Sequence, residues 1–296
     1  MHPAIRRAAG AALLALGGSA PLAAQETIHW PLRTHAGPTA MAEGAAAPFW
    51  NPAGMAALTG RGAALVVDSR SPSAVGVSGL ALGGAYAVRP GAWVGVAFRH
   101  VGIDGIDRTT DSPLPDPGGD ALAAAEDHFH VAAAWAPRVD VAVGASVRYA
   151  RTSELLGGDS QAGALLGARW SPTLPLRPVL GVTAGLERNE MAWSAAARVR
   201  APLPAALADW AVHTEYGVRH APAIDGQVQR LLATASWLER AALSIGAAGE
   251  PDNGGTGWRL VAGGSVSLGR YTLGLVREGL AGGFGAAHTF RLNVDF

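Results

Sequence analysis

The stretch AHTFRLNVDF, residues 287–296, alternates with a period of two. Phe290, Leu292, Val294 and Phe296 are apolar, and Arg291, Asn293 and Asp295 between them are polar or charged. Successive side chains of an extended chain point to opposite faces, so this is a strand with one apolar and one wet face. Two settings fit it: the edge of a soluble sheet, or the wall of a barrel whose apolar face meets hydrocarbon. The rest of the chain has to decide between them.

Working back from that strand, the same grammar repeats as far as Arg61. Strand-length runs separated by turn residues fall near 61–70, 74–88, 92–103, 127–137, 139–152, 160–171, 178–187, 191–201, 209–220, 226–237, 240–249, 256–267, 270–278 and 286–296, fourteen in all. An even number is what a single-chain bacterial barrel requires when both ends of the chain lie on one side. If that side is periplasmic, connections after odd runs face outward. The one long connection, 104–126, follows the third run and is therefore expected at the cell surface, where such barrels keep their long loops.

Alternation within the runs assigns faces. In the fifth, Val141, Val143, Ala145, Val147 and Tyr149 oppose Ser146 and Arg148; in the eighth, Trp193, Ala195, Ala197 and Val199 oppose Ser194, Arg198 and Arg200; in the ninth, Trp210, Val212, Thr214, Tyr216 and Val218 oppose His213, Glu215 and Arg219. An Arg facing lipid at the bilayer midplane costs about 2–4 kcal/mol. These arginines, with Arg169, Arg230, Arg259 and Arg291, are therefore expected in the lumen. The first three runs carry Ala and Gly on both faces and give no orientation. Tryptophans supply an independent check, since indole favours the membrane interface. Trp93, Trp135, Trp170, Trp210 and Trp237, with Tyr271 and Phe296, fall at periplasmic run ends, and Trp193 and Trp258 near outer ends. The expected fold is thus all-β, a transmembrane antiparallel barrel of about fourteen strands over 61–296.

Composition agrees. Mean hydropathy is +0.19 with only 16% charged residues, odd for an exported protein surrounded by water. A barrel spreads apolar residues over alternate positions, so no run of roughly 20 apolar residues is needed, and none follows the first 24 positions. Arg6 and Arg7 before the apolar run 8–16, with small residues to Ala24, read as a secretory signal peptide over 1–24. The chain has no cysteine, which excludes disulfides, thiol catalysis and a lipid-modified N-terminal Cys. Net charge is zero, and nothing suggests a nucleic-acid partner. All 23 basic residues are Arg, so a GC-rich codon bias also contributes to the Ala, Gly and Arg content.

Between signal and barrel, residues 25–60 show no period of two, and they contain Phe49-Trp50-Asn51-Pro52-Ala53-Gly54. An aromatic followed by Asn-Pro-Ala-Gly, placed between a signal peptide and the first strand, resembles the N-terminal segment of the FadL superfamily of outer-membrane barrels, which includes long-chain fatty-acid transporters and the PorV/PorQ group associated with protein secretion. The closing strand, with Phe290, Leu292, Val294 and a final Phe296, is similar to the signal that the barrel-assembly machinery of the outer membrane reads. The resemblance implies an outer-membrane location, contact with outer-membrane lipid and a plug or hatch formed by residues 25–60. It also implies one of two roles: passage of a small hydrophobic ligand, or a non-transporting scaffold for a secretion partner protein. The chain departs from fatty-acid transporters in being shorter and in having one long outer connection. The corner itself has a physical reading. Phe49 and Trp50 have no strand partner, so each forgoes roughly 1.5–3 kcal/mol unless buried. Pro52 biases Asn51 toward extended geometry, and the Asn51 amide can satisfy nearby backbone groups.

Catalytic chemistry is not expected. His128 and His130, two apart on one face, and His213 with Glu215 have a spacing that could hold a metal, but no zincin or Gly-x-Ser-x-Gly motif accompanies them, and ordinary lumen polarity is the reading taken; no cofactor is assigned. The connection 104–126 is acidic without EF-hand spacing, and Asp120 is expected to cap a short helix through Ala125.

Overall fold

The computed structural model describes residues 36–70, 76–106, 122–153, 158–187, 190–220, 227–252, 255–279 and 286–296. The expected signal peptide, residues 25–35 and the acidic positions Asp107, Asp111, Asp116 and Asp120 lie outside the described residues. Fourteen strands follow one another: β1 (Gly62–Arg70), β2 (Gly76–Arg89), β3 (Ala92–Ile106), β4 (Leu122–Arg138), β5 (Val141–Thr152), β6 (Ser160–Trp170), β7 (Val179–Glu187), β8 (Glu190–Arg200), β9 (Trp210–His220), β10 (Gln227–Trp237), β11 (Ala241–Asp252), β12 (Gly255–Leu268), β13 (Tyr271–Gly279) and β14 (Ala286–Asp295). Each pairs antiparallel with the next, and β14 closes on β1 to complete a barrel. Ala63 lies opposite Asp295 and Val67 opposite Arg291, so both ends of the barrel chain emerge on one side.

All fourteen expected runs are strands. The largest shift is at the outer end of β3 and β4, which pair up to Ile106 and Leu122. Asp104 and Glu126 are therefore strand residues, not loop. The helix expected from Asp120 through Ala125 is also corrected: Ala124 and Ala125 pair with Ile103 and Gly102. Alanine's helix propensity, a few tenths of a kcal/mol per residue, yields to the ladder offered by β3.

The outer surface is apolar. Val96 is 62% exposed, Leu166 65% and Leu243 73%, on strands spaced around the wall. Such a belt is stable against hydrocarbon, not against water. Trp135, Trp170, Trp210, Trp237, Tyr271 and Phe296 are exposed at the end that carries the chain termini, with Trp193 and Trp258 toward the other; Trp210 and Trp237 are direct cross-strand partners. Trp93 is the exception. It points inward and packs with Ala47, Met55, Ala85, Ala132 and Ala134, because its neighbours Val94 and Val96 occupy the lipid face of β3.

The orientation of β1–β3 is now fixed. Leu65, Val67, Ala81, Ala85, Ala97 and Val101 are buried inside, while Val66, Leu80, Leu82, Tyr86, Val94 and Val96 are exposed outside. Both faces are apolar because the inner face is covered by protein, which is why no alternation is visible in these runs.

Candidate luminal site

The inner covering is the segment 36–60. Pro52 holds Asn51 extended, with φ −139° and ψ 94°, and opens a 3-10 helix over Pro52–Ala57. A single helical turn, α1 (Ala47–Trp50), leads into the corner. Asn51 is fully buried, and its amide satisfies the groups the corner leaves open. Ala53 N–H donates to Asn51 Oδ1 at 3.2 Å, and Asn51 Nδ2 donates to the Ala40 carbonyl at 2.7 Å, with the Ala168 carbonyl of β6 at 3.5 Å. Pro52, Ala53 and Gly54 are buried with it, as is Phe49, whose ring stands edge-on to His130 at 5.4 Å. Trp50 is half-buried, with the Arg219 guanidinium 5.0 Å over its ring.

The wall is thinned to admit this backbone. Inward-facing Gly83, Gly95, Gly144, Gly167, Gly181 and Gly217 sit on six different strands beneath it. A Cβ on Gly167 would lie 2.2 Å from Asn51 Oδ1, and one on Gly181 would lie 2.2 Å from the Ala40 carbonyl, so only glycine permits the approach. On the far side Ala36 packs with Leu232, Ala248, Val261 and Val276 of β10–β13. The segment therefore runs across the lumen from wall to wall. The glycines are the part of the site that sequence reasoning missed. Their signal was glycine at inward positions beside lipid-facing Val or Leu.

Charges tie the segment to the wall. Glu43 accepts from Arg169 at 2.9 Å and from Arg198 at 3.0 Å, and Arg198 Nε donates to Glu215 at 2.6 Å, with His213 Nε2 3.6 Å from the same carboxylate. Burial disfavours ionised Glu43, but the two guanidiniums outweigh it and hold the carboxyl below the usual carboxylate range. Arg230 donates to the Ala36 carbonyl and to Glu278, the latter at 2.7 Å.

No protein-family model matches the chain, and no curated protein sequence matches it. Solved structures do. The CymD monoaromatic hydrocarbon channel superposes with a TM-score of 0.58 at 11% identity, over 86% of this chain and 93% of that one. A Pseudomonas aeruginosa FadL homologue gives 0.55 at 11%, over 88% and 96%. The Ralstonia pickettii toluene transporter TbuX gives 0.54 at 13%, over 88% and 98%. The chain has the fold of the FadL-type outer-membrane barrels.

Within the barrel the remaining expected residues fall as follows. Arg148 and Arg200 face inward on β5 and β8, Arg259 pairs with Glu250, and Arg291 faces inward opposite Val67. None of the expected lumen residues lies on the lipid face. Phe290 on β14 and Phe296 just beyond its end are 55% and 66% exposed on the outside, the face shared by Leu292 and Val294. His128 and His130 stack with ring centres 6.3 Å apart, but His128 Nε2 is already 2.5 Å from Glu126 and 2.9 Å from Arg99. His213 and Glu215 lie on β9 within the Arg198 network, and the two pairs do not converge. Among the described residues no group of three metal-ligating side chains forms.

Proposed function

We propose that this barrel passes a small apolar compound across the outer membrane, with the segment around Asn51 acting as a plug. The observation that carries the reading is the filled lumen. Asn51 and Ala53 are fully buried inside the barrel against β5 and β6, so a water-filled bore for polar solutes is a poor match. Beside them, Phe49 and Trp50 with Leu165 line a recess on the side away from the chain termini, together with the hydroxyls of Ser146, Thr183 and Ser194. His130, Arg148 and Arg219 also line it and its volume is about 60 Å³, so Phe49 and the plug must shift before the recess admits a small, mostly hydrophobic ligand. The channel and transporter names of two of the three similar structures support the same reading, and none of the three descriptions points to the scaffold alternative.

The test is uptake of labelled toluene by cells that express the barrel, against cells that do not, with labelled glucose as the polar control. Faster entry of toluene alone is expected, and Phe49→Ala should reduce it. Equal toluene entry with and without the barrel contradicts the reading.

A further inference from the structure

The recess beside the plug carries charge as well as rings. Phe49, Trp50 and Leu165 supply its apolar surface, and its ionisable lining is cationic: Arg148 on β5, Arg219 on β9 and His130 on β4. No Asp or Glu is among the described residues that line it. Between the two arginines in strand order stand Thr183 on β7 and Ser194 on β8, whose hydroxyls pair at 2.6 Å.

The surroundings set both guanidiniums in place. Arg148 lies against its cross-strand neighbour Gly163 on β6, where a Cβ would stand 3.7 Å from Arg148 Nε and Nη2. The Arg219 guanidinium lies 5.0 Å over the Trp50 ring. Stacking on an indole face stabilises the cation yet leaves its in-plane N–H groups able to donate to a carboxylate.

These features discriminate among apolar ligands. A neutral hydrocarbon entering the recess strips water from the guanidiniums and gives nothing back. A ligand with a carboxylate replaces that water with charge-assisted hydrogen bonds, in the forked geometry a guanidinium matches. The rest of the ligand must be compact, since the recess holds about 60 Å³, far below the roughly 300–1,000 Å³ of ordinary ligand sites, and grows only as far as Phe49 gives way. A flat ring suits that place, because it can take over the edge-on contact that Phe49 makes with His130 at 5.4 Å.

We propose that the recess selects a compact aromatic carboxylate of the benzoate class, its ring in the place of Phe49 and its carboxylate between Arg148 and Arg219. The inference rests on the reading of the recess as the ligand site and adds to it the charge of the ligand.

The test is equilibrium dialysis of the full-length barrel in detergent with labelled benzoate, and with labelled benzamide as the neutral ligand of the same shape. One benzoate should bind per barrel, at least about tenfold more tightly than benzamide, the difference that one charge-assisted hydrogen bond makes. Arg148→Gln and Arg219→Gln should each weaken benzoate about tenfold and leave benzamide unchanged. Arg200→Gln, on β8 but outside the recess, should change neither. Heat-modifiable migration shows that each variant is folded. Equal affinity for the two ligands overturns the proposal. So does benzoate binding that survives both substitutions in the recess, or that falls equally with Arg200→Gln, which would make the lumen a general cationic surface. Toluene entry separates this inference from the proposed passage: faster toluene entry with no preference for benzoate keeps the passage and sinks the inference, and a preference for benzoate without faster toluene entry does the reverse.

Discussion

At Gly167 a missing side chain sets the position of Asn51. The Asn51 amide bridges Ala40, Ala53 and the β6 wall only because Gly167 offers no Cβ. Gly167→Ala should displace the corner and destabilise the barrel by about 1–3 kcal/mol, the usual cost of overpacking, whereas Gly264→Ala, whose nearest contact is 3.4 Å, should be nearly silent. Thermal melting in detergent compares the two. Glu43 acts at the same scale through charge. Its folded pKa is depressed, so its contribution is complete above the unfolded value of about 4.5 and is lost as pH falls through the lower folded value. Glu43→Gln should cost roughly 1–3 kcal/mol at neutral pH, less than a fully buried pair because 30% of the side chain stays exposed. The wild type, but not Glu43→Gln, should lose that margin on acidification; melting curves that move in parallel for both proteins would remove Glu43 from the account. Asn51 and the luminal arginines were legible in the sequence, the former from the Pro that follows it and the latter from parity. The glycines were not, because Gly83 and Gly84 are adjacent in β2 and periodicity cannot say which one faces an aperiodic segment.

Strands were the most legible elements, since a wall between lipid and lumen imposes period two wherever the inner face is polar. It failed in β1–β3, where Leu65 and Val67 face the inner segment and the two faces cannot be told apart. It failed again at the outer ends of β3 and β4. There Asp104 and Glu126 read as loop because strands that project past the hydrocarbon no longer need an apolar face. Trp93 was misplaced for a related reason: position at a strand end says interface, but register decides inside or outside. β14 carries an assembly expectation. Its outward Phe290 and Phe296 flank Leu292 and Val294, and its other edge must still find β1. Removing Phe296 is expected to lower the amount of folded, heat-modifiable barrel in the membrane while export continues; unchanged amounts would show that this ring is not part of what assembly reads.

For the whole molecule, the barrel and the segment inside it form one packing problem. Clusters such as Ala45, Ala46 and Phe49 with Leu65, Val67 and Ala97 join the two, so the lumen is a core on one side and a polar, arginine-lined surface on the other. The sequence showed the wall and the corner, but not that the segment runs from the Asn51 contacts on β6 to the Ala36 contacts on β10–β13, because contacts between an aperiodic segment and ten or more strands leave no periodic trace. In the proposed function residues 36–60 plug the lumen. The most direct measurement is conductance in planar bilayers of the full-length barrel and of a barrel lacking residues 25–60, with heat-modifiable migration confirming that both are folded. A plugged lumen gives a silent full-length protein and an ion-conducting truncated one; a folded truncated barrel that conducts no better than the full-length protein would contradict the plug.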